Sequence, residues 1–248
     1  MRVLVTRPDH AGRETASRLV ELGHQPLLVP LSRPVHDTAA AEQAMQRPHA
    51  ALVLTSAEAT RAIAPLGDAL APYLSRPLFA VGAASAKAAR GLGFRDIRIA
   101  AGEGESLADL VALTLADASA ENPLLYLAGS PRSPRFEARL ASQRVPLVVC
   151  ECYRMESIVY DADDLAERLR RERPEAALFY SAEAARRFFA LVTNPAFDVI
   201  LRDMRFFCLS PNVLAAIPSP FVARAEASAT PEEASLLALI SSNPGKIA

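Results

Sequence analysis

Tryptophan is absent, and lysine is nearly so: Lys87 and Lys246 stand among 27 basic residues, the other 25 being arginine. Acidic residues number 28, so the formal net charge is −1. That balance excludes a broad field for nucleic acid or an anionic membrane surface, and any anion site must be local. No apolar run approaches the roughly 18 residues that span a bilayer. Three cysteines, two of them at alternate positions (Cys150, Cys152), make no disulfide framework and fit a reducing compartment. HExxH, CxxC and GxSxG motifs are missing, which argues against zinc and serine hydrolysis. The four histidines (His10, His24, His36, His49) lack ligand spacing, so no metal site is expected. Met1-Arg2 runs directly into strand-like "VLVTRP" with no signal-peptide pattern. The expectation is a cytoplasmic protein.

What is present is a folded α/β composition, 51% hydrophobic and 22% charged. Short β-branched runs alternate with Ala/Leu/Arg segments of helical period, the pattern of parallel sheets covered on both faces. Strands are predicted at 2–6, 25–30, 51–55, 78–82, 96–100, 124–128, 146–153, 177–181, 206–210 and 221–226. Helices are predicted at 12–22, 58–63, 83–91, 107–118, 134–142, 163–171, 182–192 and 231–240. The last would start on Pro231 behind Thr230 as N-cap, and Ser106 reads as the cap of the 107–118 helix.

The chain also repeats itself. "VLTSAEATRAI" (53–63) returns as "LFYSAEAARRF" (178–188), and "LFAVGAASAKAA" (78–89) as "FFCLSPNVLAAI" (206–217). "VLVTRP…RLVELGHQPLLVP" (3–30) is echoed by "LLYLAGSPR…RLASQRVPLVVC" (124–150). The order of these units implies a nested chain. One lobe comprises 1–33 plus 158–248 and the other 37–152, with linkers at 31–37 and 153–161 that pair as a two-stranded hinge. Two open α/β lobes so joined leave a cleft between them, and ligands of such sheets gather at the carboxyl ends of strands.

Both copies of the repeated corner lie at such ends. A hydroxyl residue leaving a strand and opening a helix offers its own hydroxyl and the free amides of the first turn, which bind carboxylate or phosphate. Thr55-Ser56, Gly82 to Ser85, Tyr180-Ser181 and Ser210-Pro211-Asn212 all fit. Plain helix capping is the alternative at each corner. Arg7, after the first strand, can fork onto a carboxylate or form a structural ion pair. "GSPRSPR" (129–135), with Arg132 and Arg135, lacks the ending of a nucleotide P-loop and reads as a weak anion loop at best. "GEGES" (102–106) is not a dinucleotide fingerprint. Tyr153 ends the "VVCECY" strand where the chain crosses between lobes; it is either a phenolic proton donor or a hinge-packing aromatic.

"VTRP", "LTSAEA", "AVGAASAKAARGLGF", "CECYR", "FYSAEAARRF", "CLSP" and "TPEEASLL", in this order over essentially the full length, resemble the uroporphyrinogen-III synthase family. The resemblance implies two flavodoxin-like lobes around a cleft. It also implies an activity: closure of the linear tetrapyrrole hydroxymethylbilane to uroporphyrinogen III with inversion of ring D, without metal or organic cofactor. The resemblance further implies that the octacarboxylate substrate is held largely by amides and hydroxyls; a monomer that binds neither nucleic acid nor membrane is expected, and transient contact with the preceding pathway enzyme stays an open expectation. By position, Tyr153 matches the family's cleft tyrosine, Thr55 and Ser56 the first hydroxyl corner, Gly82 and Ser85 the "VG" motif, and Ser181 the second corner. At the fourth corner the family's Ile-Gly-Pro-x-Thr is replaced by Leu209-Ser210-Pro211-Asn212-Val213, leaving Ser210 and Asn212 as donors. The alternatives are a non-catalytic two-lobed binding protein for a small acidic ligand and a flavodoxin-like electron carrier.

Overall fold

The computed structural model describes residues 1–100, 104–115 and 117–242. From the amino end come β1 (Arg2–Val5), α1 (Asp9–Glu21), β2 (Gln25–Leu28) and β3 (Ser32–His36). Next are α2 (Thr38–Met45), β4 (Ala51–Leu54), α3 (Ala57–Ile63), a 3₁₀ segment (Ala64–Tyr73), β5 (Leu78–Val81) and α4 (Gly82–Gly91). Then follow β6 (Ile97–Ala100), α5 (Gly104–Thr114), β7 (Leu124–Ser130), α6 (Arg135–Ser142), β8 (Leu147–Ser157) and α7 (Ala162–Glu172). The chain continues with β9 (Ala176–Phe179), α8 (Ala182–Leu191), a 3₁₀ turn (Pro195–Phe197), α9 (Asp198–Leu201) and β10 (Arg205–Cys208). It closes with α10 (Pro211–Leu214), α11 (Ser219–Val222), β11 (Ala225–Ala227) and α12 (Glu233–Ser242).

Contacts divide the chain into two units, Met1–Arg33 with Glu156–Ala248, and Pro34–Met155. The first holds a five-stranded parallel sheet in the order β11-β10-β9-β1-β2. Its central strand β9 is buried at every residue, as a strand covered on both faces must be. One face carries Phe179, Phe188 and Phe206 among its core; the other carries Val3, Val5, Leu178 and the apolar side of α12. Each fully buried phenylalanine contributes about 1.5–3 kcal/mol through apolar burial.

The second unit is built on the six-stranded order β3-β8-β7-β4-β5-β6. Its parallel core, β8 through β6, is likewise lined on both faces. The chain passes from one unit to the other within β3 and again within β8, and these strands are neighbours. The Ile158 amide donates to the Leu31 carbonyl (3.1 Å) and the Asp37 amide to the Cys152 carbonyl (2.8 Å), so the two strands run antiparallel.

The α/β class with parallel sheets holds, and three local expectations are corrected. The strand expected at 221–226 is a helical turn, Ser219–Val222, followed by a three-residue strand. Pro218 and Pro220 preset the helical entry there, and the Arg224 guanidinium gathers the carbonyls of Leu201, Arg202 and Met204. The last helix starts at Glu233, not Pro231. The Ser228 hydroxyl donates to the Thr230 carbonyl (2.7 Å) and holds that segment as loop, so Thr230 is no cap. Helix α5 begins at Gly104, which places Ser106 inside it; the rest of that loop, Gly102 and Glu103, lies outside the described residues.

Candidate functional site

The two copies of the repeated corner are the same structure. Ser56 (φ −152°, ψ 147°) and Ser181 (φ −150°, ψ 151°) leave β4 and β9 in extended conformation and cap the helices that follow. The Ser56 hydroxyl accepts from the Glu58 amide (3.2 Å) and the Ser181 hydroxyl from the Ala184 amide (3.1 Å). The glutamate of each "SAEA" pairs with an arginine one turn on. Glu58 meets Arg61 at 2.6 Å, and Glu183 meets Arg187 at 2.8 Å. The motif is thus a cap plus a helical ion pair, and its serine hydroxyls are engaged as acceptors while remaining donors.

Around the first copy the second unit builds a denser arrangement. Thr55 and Ser56 are adjacent, yet their hydroxyls turn to opposite faces of the sheet. Thr55 Oγ1 lies 2.7 Å from the Tyr126 hydroxyl, whose ring packs edge-on to Phe136. The Ser56 hydroxyl stands beside the Tyr153 phenol and opposes the effect of burial on it. Burial raises both phenols above their ordinary range, and Tyr153 is pushed up to about 12 despite that opposition. Beside Tyr153 stands the His36 ring, with centroids 6.4 Å apart. His36 Nε2 is 3.0 Å from Glu58, a carboxylate only 12% exposed that also holds Arg61.

A β-bulge explains why Tyr153 faces this cluster. Along β7 and β8 the register is Ala128 with Glu151 and then Gly129 with Tyr153, so β8 carries one extra residue, Cys152. Strict alternation would send Tyr153 to the face opposite Cys150 and Cys152. The bulge turns it back onto theirs, where all three belong to one core cluster with Leu54 and Ile63. Tyr153 ends 9% exposed, and burial keeps the Cys152 thiol up at about 12, so no thiolate competes with the phenol at neutral pH.

The other expected residues are placed as follows. Gly82 (φ +69°) opens α4, a conformation that favours glycine, and this helix start has no side-chain cap; Ala83 and Ala84 beside it are exposed. Ser85 lies inside α4 and is 4% exposed. Arg132 is held by Glu137 (2.6 Å) and Glu151, so the "GSPR" loop has its guanidinium internally engaged. Ser210 caps the short α10, accepting from the Val213 amide at 3.4 Å, and Asn212 is exposed.

In the first unit, Arg7 sits in a knot that sequence reading did not find. Its guanidinium lies 4.0 Å from the Tyr180 ring centroid and 3.1 Å from Glu233 Oε1. The hydroxyls of Thr15 and Tyr180 each donate to the same Oε1 at 2.6 Å, and Arg18 takes Oε2. The fork of Arg7 therefore closes on the protein's own carboxylate, with Glu14 also contributing to the field around it. Glu233 and Arg7 are 226 positions apart, a separation no local pattern bridges. Among the described residues, no three His, Cys, Asp or Glu side chains converge as a metal-ligand group, and no helix is long and apolar enough to cross a membrane.

No curated protein matches the sequence. The structure is similar to that of uroporphyrinogen-III synthetase from Helicobacter pylori 26695, with TM-score 0.64 and 15% identity over 98% of this chain and 99% of that one. A mutant uroporphyrinogen III synthase from Thermus thermophilus gives TM-score 0.53 and 20% identity over 87% of each chain. At such identities the likeness shows the shared fold. The sequence model described as "Uroporphyrinogen-III synthase HemD" matches residues 13–238. With that match over most of its length, the chain belongs to the uroporphyrinogen-III synthase family.

Proposed function

We propose that Tyr153 is the general acid of the ring closure this family performs. The chain cyclises hydroxymethylbilane in tetrapyrrole biosynthesis. Loss of the terminal hydroxymethyl oxygen as water leaves an electrophilic azafulvene. The substituted carbon of ring D attacks it, and the resulting spiro intermediate fragments and recloses as uroporphyrinogen III. Hydroxide is a poor leaving group, so a proton delivered to that oxygen lowers the first barrier. A phenol held at about 12 is protonated throughout the neutral range and is a donor, not a base. Its burial beside the Ser56 hydroxyl is the observation that carries this reading.

In the same reading the substrate's carboxylates take the free first-turn amides of α3, α4, α8 and α10. Ser56, Ser181, Ser210 and Asn212 serve as hydroxyl and amide donors, and Gly82 lets the backbone approach. Helix-start amides attract anions without net positive charge, which suits a chain whose formal charge is −1. Thr55 and Ser85 support these corners from within, and Arg7 remains in the Glu233 knot. The protein is read as a cytoplasmic monomer that needs no metal or organic cofactor and meets the preceding pathway enzyme transiently. Folding a flexible chain so that the hindered carbon reacts is the larger part of the task.

The acid assignment fixes the sign of the pH dependence. The active form is the protonated phenol, which persists until pH approaches about 12. Turnover under saturating substrate is therefore expected to show no alkaline fall from this group between pH 7 and 10. Initial rates across that range, wild type beside Tyr153→Phe, test it. An alkaline limb near pH 8–9 in the wild type that vanishes in Tyr153→Phe contradicts a buried, protonated donor.

A further inference from the structure

We propose that Gly129 is a positioning residue for the ring closure: its missing side chain is the seat on which the Tyr153 phenol lies. The inference rests on the reading of Tyr153 as the acid. A Cβ built on Gly129 would fall 2.2 Å from Tyr153 Cζ, 2.4 Å from Cε2 and 2.5 Å from the hydroxyl oxygen. Real Cβ atoms essentially never come within 3.0 Å of a neighbour, and the atoms met here are the reactive end of the ring. The requirement is one of space, at a buried position near the carboxyl end of the β7–β8 pairing.

Three neighbours then define where the phenol sits. Gly129 supports the ring from β7, the Ser56 hydroxyl stands on the side of its oxygen, and the His36 ring lies beside it. The β-bulge at Cys152 delivers Tyr153 to this spot, because Gly129 pairs with Tyr153 directly after the register shift. Bulge and glycine act together: the first aims the side chain, and the second leaves room for it. A methyl group at 129 would push the ring and its hydroxyl out of place, and displacing a reacting group by about 1 Å can cost on the order of 10²-fold in rate.

The experiment is a double-mutant comparison on the full chain. Gly129→Ala is expected to lower kcat by about 10²-fold while KM for hydroxymethylbilane moves by less than about 3-fold. Spectrophotometric titration, wild type and Gly129→Ala each read against its own Tyr153→Phe counterpart, should show the Tyr153 phenol falling from about 12 toward its ordinary value as it leaves its seat. Gly129→Ala/Tyr153→Phe should be no slower than Tyr153→Phe alone; multiplying losses would mean that Gly129 acts independently of the phenol and would overturn the proposal. Should Gly129→Ala fold poorly, thermal unfolding in a Tyr153→Ala background decides instead. With the ring gone, alanine at 129 is expected to leave the midpoint unchanged, whereas an equal loss in both backgrounds removes Tyr153 as the reason for the glycine. If Tyr153→Phe alone turns over at the wild-type rate, the acid assignment fails, and the titration and unfolding arms still report whether the seat exists.

Discussion

Tyr153→Phe is expected to reduce kcat for hydroxymethylbilane by about 10²-fold or more, within the 10²–10⁴-fold range usual for a general acid. KM should move by less than about 3-fold. The substitution removes one oxygen from a side chain that is 9% exposed and keeps the ring that packs against Leu54, Ile63 and Cys150. The fold should survive, because a single hydroxyl contact of this kind is worth at most about 0.5–1.5 kcal/mol. Initial rates at several substrate concentrations, with circular dichroism as the check on folding, measure both parts. A rate within twofold of wild type would take the phenol out of the chemistry and leave it a packing group.

The second large effect concerns stability. Glu233 receives Arg7, Arg18, Thr15 and Tyr180 on its two oxygens, at the first residue of α12. Beyond it, Leu236, Leu237 and Ile240 pack on Val3, Val5, Leu19 and Phe207. Glu233→Ala removes the shared acceptor of two guanidiniums and two hydroxyls at once, though the Thr15 hydroxyl keeps the Ala11 carbonyl as a partner. Breaking a fully buried pair from one side costs about 3–5 kcal/mol. Here the Glu233 and Arg7 side chains are 16% and 27% exposed and Arg18 is 52% exposed, so water recovers part of the loss. A cost of roughly 2–3 kcal/mol is expected after that discount. For a chain of this length it corresponds to a thermal midpoint lower by roughly 5–10 °C. Glu233→Gln, which keeps shape and one acceptor oxygen, should lose less. A midpoint within about 1 °C of wild type for Glu233→Ala would show that the knot does not anchor α12.

Much of this architecture was legible because parallel α/β units write their periodicity locally. β4 and β9 read as apolar runs since both faces of each are covered, and "SAEA" marked the strand-to-helix corner twice. Local signals also account for what was misread. Pro218 and Pro220 announce the turn of helix that displaced an expected strand, and Asp37 ahead of an alanine-rich run announces α2, for which no helix was predicted. The site was legible only in part, because its decisive features are relations between distant residues. Tyr153 was named as the last residue of a strand expected at 146–153, but β8 continues to Ser157, so Tyr153 lies within it. Its orientation depends on a bulge set by register with β7, and its seat is a glycine 24 positions earlier on that strand. Arg7 stayed open between a fork onto a ligand and a structural ion pair because Glu233, far along the chain, is visible beside it only after folding. The pairing of adjacent Thr55 and Ser56 with tyrosines on opposite faces follows from the strand's exit geometry, which composition does not encode.

The isomer that this protein makes decides its function most directly. Purified chain is incubated with hydroxymethylbilane, the product is oxidised to the porphyrin, and the type I and type III isomers are resolved by chromatography. Predominantly type III product, formed without added metal or organic cofactor, is the predicted result. Type I product in the proportion found without protein would mean that ring D is not inverted here, and would contradict it.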